Sequence, residues 1–356
     1  MTSTTGGAAR AEAGSAAATA RGTAAPTDPG FDEATRRYRR ELLAHCYRMT
    51  GSPSDAEDLV QEVYLRAWRA YGSFEGRSSM RTWLHRIATN VCLTALEGAA
   101  RRPLPTGLGA PSQEGSDPLD ERVEVPWLGP MPDAVLAATA DPADVVVERD
   151  TLRLAFVAAL QHLPPRQRAV LVLREVLRWS AAEVAEATGV SVPAVNSALQ
   201  RARATMAAVD ASPEAAAAVE LDDAQRALLD RYVDAFWRKD VDAIATLFTD
   251  DAVWEMPPFT GWYRGPRTIA TLVGTHCPGG THDMPLVPTS CNGQPAFGLY
   301  LRDSGSERER FLPFQLHVLD LDGPLVRHAT VFFDTAYFTM AGLPAELGPE
   351  DVPAEG

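Results

Sequence analysis

Three groups of residues carry side chains able to do chemistry, and most of that chemistry is recognition. Between 77 and 90, Arg77, Arg81, Trp83, Arg86 and Asn90 combine cations, a ring and an amide. Rings stack on unpaired bases while guanidinium groups seek phosphates. Between 191 and 203, Ser191, Asn196, Ser197, Gln200, Arg201 and Arg203 offer the donors and acceptors that read base edges or grip phosphates. Between 58 and 65, Asp58, Gln61, Glu62 and Leu65 form an acidic-polar face interrupted by one leucine, a pattern that a plain solvated surface also produces.

Bond-making chemistry has weaker candidates. His328 and Asp334 share a strand face by alternation and could act as a general acid-base pair, but ordinary strand-end polar residues look the same. His276, Cys277, His282 and Cys291 are soft-ligand types whose spacing matches no closed zinc pattern. No catalytic residue, metal site or cofactor is assigned.

These side chains need helices to position them. On the 3.6-residue period Ala56, Leu59, Val60, Val63 and Ala67 form an apolar stripe, and Ser54 three residues before Glu57 has capping-box spacing, so a helix is expected to begin there. Arg36 to Met49 reads as a preceding helix with Leu42, Leu43, Cys46 and Tyr47 inward, ending at Gly51-Ser52-Pro53. Ser79 to Leu96 reads as a third, with Trp83, Ile87, Val91 and Ala95 at helical spacing, which also makes Trp83 a core candidate. Leu152, Phe156, Leu160 and Leu163 precede a break at Pro164-Pro165, and helix resumes from Gln167 to Leu177. Ser180 and Glu183 form a second capping box. Ala181 to Thr188, a turn at Gly189 and a helix from Ser191 to about Met206 then give helix-turn-helix anatomy, with Val190, Val195 and Leu199 on the buried side.

Composition bounds the rest. The 356 residues are 46% hydrophobic, enough for two or three ordinary cores. No apolar run approaches the ~20 residues of a membrane span, and the Ala/Gly/Thr-rich start lacks the apolar block of an export signal. Four scattered cysteines form no disulfide framework. A cytoplasmic protein without membrane partners is expected. The net charge of -14 is divided: 0 over 1–30, +3 over 31–102, -7 over 103–146, +3 over 147–207 and -13 beyond. Residues 1–30 read as a disordered tail. The two basic blocks are where a polyanion would bind. The connector 103–146, rich in Pro, Gly, Asp and Glu, cannot form a packed core and reads as a tether, with Val125-Pro126-Trp127-Leu128 as a candidate anchor.

DAEDLVQEVYLRAW, FEGRSSMRTWLHRIATNVCLTAL and LPPRQRAVLVLREVLRWSAAEVAEATGVSVPAVNSALQRARATM, in that order, resemble regions 2.2, 2.3–2.4 and 4 of sigma-70 factors of the extracytoplasmic-function (ECF) type. The resemblance implies two all-α domains, a region 2 helical bundle over 31–102 and a region 4 helix-turn-helix over 147–207. It also implies roles. Asp58, Gln61, Glu62 and Leu65 would bind the clamp helices of the polymerase β′ subunit, and the β subunit would be a further partner. Arg77, Arg81, Trp83, Arg86 and Asn90 would open and hold the minus-10 element. Ser191, Asn196, Ser197, Gln200, Arg201 and Arg203 would read the minus-35 element. The connector would thread the polymerase cleft. Asn196 and Ala198 stand where the family often has basic residues, and Glu97 to Ala100 dilutes a basic run, so DNA binding is expected to depend on polymerase, which presents both elements at once.

Such a factor would stop near 207. Here Asp222 to Lys239 and Val241 to Phe248 read as helices, Ala252 to Met256 as a strand, Gly265 to Val273 as a helix, and Ala296 to Arg302, Phe311 to Leu319 and Leu325 to Phe333 as strands. Helices followed by a mostly antiparallel sheet suggest an α+β cone over 220–340 with a tail over 341–356. DAVWEMPPFTGWYRGPRTIATLV and NGQPAFGLYLR resemble the SnoaL-like polyketide-cyclase fold. That resemblance implies a pocket for a small apolar ligand, with Trp254, Met256, Phe259, Trp262, His328 and Phe332 as candidates and Tyr263, His317 and Asp334 nearby. The expected function is a sigma factor with a fused module regulating it in cis. The alternative is a cyclase- or isomerase-like enzyme carrying a DNA-binding half.

Overall fold

The computed structural model describes residues 29–136, 151–208, 221–306 and 308–353. Residues 1–28 of the expected disordered tail and 137–146 of the connector lie outside them, while Pro29 and Gly30, expected in that tail, begin a helix.

The first block contains α1 (Pro29–Thr35), α2 (Arg39–Thr50), α3 (Pro53–Tyr71) and α4 (Met80–Ala95). Gly51 ends α2 at φ 71°, where a side chain would be strained. The cap of α3 differs from expectation. Ser52, rather than Ser54, accepts the Asp55 amide at 3.2 Å, because Pro53 suits the first helical position, where its missing N–H costs nothing. Ala56, Val60, Val63 and Ala67 pack inward as the stripe predicts. Ser79 caps α4.

The connector carries α5 (Asp133–Leu136), and the second block contains α6 (Leu154–Leu160), α7 (Pro165–Leu171) running into a π turn (Val172–Val176), α8 (Ala181–Thr188) and α9 (Val192–Ala208). The Ser180–Glu183 capping box forms, and Gly189 takes the left-handed conformation that the tight turn into α9 requires. Phe156, Leu160, Leu163, Leu173, Trp179, Val184, Val195 and Leu199 make this block's core.

The third unit opens with α10 (Asp223–Trp237) and α11 (Val241–Ala245). It continues through β1 (Phe248–Glu255), β2 (Trp262–Arg264), α12 (Pro266–His276), β3 (Leu286–Cys291), β4 (Gln294–Arg302), β5 (Phe311–Asp322), β6 (Leu325–Phe332) and α13 (Ala336–Met340). The sheet order is β2-β1-β6-β5-β4-β3, antiparallel except for the parallel β1/β6 pair. Strands β2 and β3 were not anticipated. β2 is only three residues long, and Pro288 interrupts the β-propensity of β3.

Alternation gives this sheet two apolar faces. Trp254, Met256, Phe297, Leu299, Leu319, Ala329 and Val331 pack with α10 and α12. Ala296, Tyr300, Leu316, Val318 and Phe332 belong instead to a core continuous with Leu42, Leu43, Tyr47 and Val60 of the first block. A sheet apolar on both sides must be covered on both, and the helical blocks cover the second. Residues 341–353 close over this junction, with Leu347 pairing Phe311 and Tyr300 Oη donating to Pro344 O at 2.7 Å.

The connector has almost no regular structure, yet it is laid along the cone. Ser112 N donates to Trp262 O at 2.8 Å, Arg122 N to Pro258 O at 2.9 Å, and Thr260 N to Asp120 O at 2.9 Å. Gly115 passes so close to α12 that a β-carbon there would lie 2.3 Å from Thr268 O. Leu128, within the expected anchor, is fully buried.

Candidate functional site

On α3, Asp58 and Gln61 are exposed, and Glu62 reaches Arg66 at 2.6 Å. Leu65 is 37% exposed, and so is Trp68 one turn on, extending the same face. Trp68 was missed from the sequence, although its three-residue spacing from Leu65 was the available signal. The face mixes carboxylates with two large apolar side chains held in water, the composition of an unoccupied protein-binding surface.

The residues around α4 are placed unequally. Arg77 stands clear, paired among the described residues with nearby Glu75 at 2.6 Å. Arg81 is paired with Glu41 of α2. Trp83 is 8% exposed and lies against Phe74 with ring centroids 4.9 Å apart, so its place is the core. Arg86 reaches Glu186 of α8 at 2.9 Å, and Asn90 Nδ2 donates to Ala187 O of α8 at 3.3 Å. The helix-turn-helix therefore sits against the helix expected to hold single-stranded DNA.

On α9 the six candidates are all exposed. Ser191 caps the helix through the Ala194 amide at 3.4 Å, Arg201 donates to Ser197 Oγ at 2.6 Å, and Arg203 pairs with Glu175 at 2.6 Å. Asn196, Gln200 and Arg203 line a groove of about 310 Å³ with Arg174 and Leu199. Amide and guanidinium groups on one open helix face can reach base edges and phosphates together.

The cone candidates do not share one pocket. Trp254 and Met256 point to the helix-covered side, Phe259 packs on Phe333 at 5.2 Å, and Trp262 Nε1 donates to the connector at Gly109 O, 2.8 Å. His328 and Phe332 lie on the opposite face. There His328 Nε2 meets the fully buried carboxyl of Glu255 at 2.8 Å, whose other oxygen accepts from Thr106 N of the connector at 3.0 Å. His328, Thr330 and Phe332 of β6 thus turn toward the helical blocks. Asp334, beyond the strand, accepts from the Ala336 amide at 2.9 Å. The helix side holds a different polar set. Tyr232 Oη donates to His317 Nδ1 at 2.8 Å and His317 Nε2 donates to Gln315 Oε1 at 3.0 Å, while Trp254 Nε1 has no partner among the described residues. Tyr232, Gln315 and Glu255 were not singled out from sequence, because each falls within an otherwise ordinary amphipathic element. His276, Cys277, His282 and Cys291 form no metal-holding group among the described residues.

Three buried histidines make the fold acid-sensitive. Burial pushes His85 down to about 4 and His317 to about 3, and burial together with neighbouring His85 and Arg48 holds His45 well below its usual value. Above pH 7 these rings are neutral in both states. As pH falls through about 6.5 the unfolded chain binds protons that the folded chain refuses, so stability drops by roughly 1 kcal/mol per histidine one unit lower. Urea midpoints at pH 7.5 and 5.5 should show this loss, and equal midpoints would contradict the burial.

Residues 35–102 match the family described as Sigma-70 region 2, residues 153–206 that described as Sigma-70, region 4, and residues 229–299 the SnoaL-like domain. These matches, over an exposed acidic-polar face, an arginine-bearing helix and an open recognition helix in that chain order, define a transcription initiation factor of the sigma-70 class with a fused cone. The chain is 57% identical over 320 residues to the ECF RNA polymerase sigma factor SigG of Mycobacterium tuberculosis (strain ATCC 25618 / H37Rv), covering 89% of this chain and 85% of that protein. It is 31% identical over 262 residues to SigJ of the same strain, covering 70% and 76%. The crystal structure of Mycobacterium tuberculosis SigJ shares the fold, with a TM-score of 0.56 at 24% identity over 86% of this chain and 97% of that one. The chain belongs to the ECF RNA polymerase sigma factors. It binds RNA polymerase and promoter DNA to initiate transcription, and the enzyme alternative gives way. No helix among the described residues is long and apolar enough to cross a membrane.

Proposed function

We propose that this sigma factor docks on the β′ clamp helices through Asp58, Gln61, Glu62, Leu65 and Trp68, and contacts the β subunit as well. Arg77, Arg81, Arg86 and Asn90 engage the minus-10 element, and the exposed face of α9 reads the minus-35 element, in the cytoplasm. Trp83 supports α4 from the core. The cone regulates this activity in cis by holding a closed arrangement in which Arg86 and Asn90 are occupied by α8. The observation that carries this reading is the pair of contacts from Arg86 to Glu186 and from Asn90 to Ala187, made by the groups that opened DNA would need.

The connector supports the same reading. It carries a net charge of -7 and lies on a module that is itself acidic, attached by backbone hydrogen bonds and buried Leu104 and Leu128. Like charges make that attachment exchangeable for a basic channel in polymerase. A small apolar ligand of the cone would shift the balance only by binding the open and closed states with different affinity.

Multi-round transcription with reconstituted core enzyme tests both parts. The double substitution Asp58→Ala and Gln61→Ala should lower promoter-specific transcript about tenfold, equivalent to roughly 1.4 kcal/mol of docking free energy. Unaltered output would remove the docking role. A chain ending after Ala208 should give a different output from the full chain, and identical output would rule out regulation by the cone.

A further inference from the structure

The junction of the two helical blocks forms a cleft of about 580 Å³ that DNA reading does not explain and that meets the proposed docking face only at Asp58. Its walls come from the start of α3 (Asp55, Asp58, Leu59), the segment after α4 (Leu96, Ala99 to Arg102), Pro126 of the connector, and Gln161 to Arg168 across the α6–α7 turn. The volume falls in the range of small-molecule sites.

The charges lining it are unevenly matched. Arg102 pairs with Asp55 at 2.6 Å, and Asp58 is exposed. Among the described residues Arg101 meets only a neutral acceptor, His162 Nε2 at 2.9 Å. Arg168 is 4% exposed, and among the described residues its hydrogen bonds go to uncharged oxygens: Met49 O, Gln161 Oε1, Gln161 O and Leu163 O. Its Nε has no partner among the described residues. A buried guanidinium without a carboxylate is costly, and an anion brought beside it recovers part of that cost. Two guanidinium groups suit a dianion better than a single carboxylate: the Arg101 fork can bond two phosphate oxygens, while Arg168, whose Nη donors are taken, adds its charge and its Nε–H. Leu59, Leu96, Pro126, Pro164 and Pro165 leave an apolar wall for the remainder of a ligand.

We infer that this cleft binds a small phosphorylated molecule of about mononucleotide size, its phosphate held by Arg101 and Arg168 with His162 alongside. Both blocks and the connector contribute walls, so the bound ligand stabilises their closed arrangement and opposes the opening that promoter binding requires. The regulatory consequence rests on the closed-state reading above, whereas the binding itself does not.

Thermal unfolding of the full chain, without polymerase or DNA, tests the binding. Sodium pyrophosphate and adenosine 5′-monophosphate are titrated separately against sodium chloride at equal ionic strength. At least one should raise Tm saturably, by about 4 °C at a hundredfold excess over its Kd. Arg101→Ala, at an exposed position whose circular dichroism should match the parent, should weaken that response at least tenfold. A rise reproduced by chloride, a response retained in Arg101→Ala, or no rise with either probe overturns the proposal. Failure of the closed-state reading would show separately, as transcription unaffected by removal of the cone.

Discussion

Asn292→Ala should destabilise the junction between the cone and the helical blocks by about 4 kcal/mol, since each buried group stripped of its partner costs about 1–3 kcal/mol. Asn292 is fully buried at the tip of the β3–β4 hairpin. Its Nδ2 donates to Tyr47 Oη of α2 at 2.8 Å and to Leu152 O at the start of the second block at 2.6 Å. Its Oδ1 accepts from Met131 N of the connector at 2.8 Å, and its own amide donates to Met131 O at 2.8 Å. One side chain thus joins the cone to both blocks and the strap between them. Tyr47 Oη in turn donates to Gly129 O at 2.9 Å. Alanine would strand the Met131 amide and the Leu152 carbonyl, and would also have to occupy φ 57°, a left-handed conformation that adds about 1 kcal/mol. Asn292→Gly removes the backbone strain and isolates the lost hydrogen bonds. Urea unfolding followed by tryptophan fluorescence, with limited proteolysis of the connector, should reveal an earlier separation of the cone in both variants. A midpoint within experimental error of the parent would show that the hairpin tip does not hold the junction.

The second large effect is expected at His328. Its imidazole is one of two groups hydrogen-bonded to the fully buried Glu255 carboxyl, the other being the Thr106 amide of the connector. Stripping a buried polar group of a hydrogen-bond partner typically costs about 1–3 kcal/mol, because the remaining group keeps its desolvation penalty without its compensation. His328→Ala should therefore destabilise the chain by about 2 kcal/mol. Removing both partners by the apolar double substitution Glu255→Leu with His328→Leu should recover most of the loss. A double-mutant cycle by urea denaturation measures the coupling. Additive single effects would mean that the pair is incidental.

These two predictions concern residues whose roles were illegible in the sequence, and the contrast with α3 explains why. The apolar stripe of α3 and the Ser180 capping box are local patterns set by helical geometry, so they could be read within a few residues. Even there the cap moved from Ser54 to Ser52, because Pro53 and Ser52 together offered the better start. The exposed character of α9 followed from the same logic, as its inward positions were already taken by Val195 and Leu199. Strand β6 shows the limit. Alternation separates His328, Thr330 and Phe332 from Ala329 and Val331, but both sets are compatible with burial, and alternation is symmetric between faces.

The sequence by itself determined the helices, the helix-turn-helix, the order of the DNA- and polymerase-facing segments and the presence of a third, acidic unit, because each is encoded by short-range periodicity, capping and charge. Only the tertiary structure decided that the connector lies along the cone, that the outer sheet face shares a core with the first block, and that Asn292 and Glu255 sit at the junctions. Those outcomes depend on pairing surfaces up to 245 residues apart, as in the Asn292–Tyr47 hydrogen bond. Such pairings follow from the complementarity of whole faces, which no local spacing records.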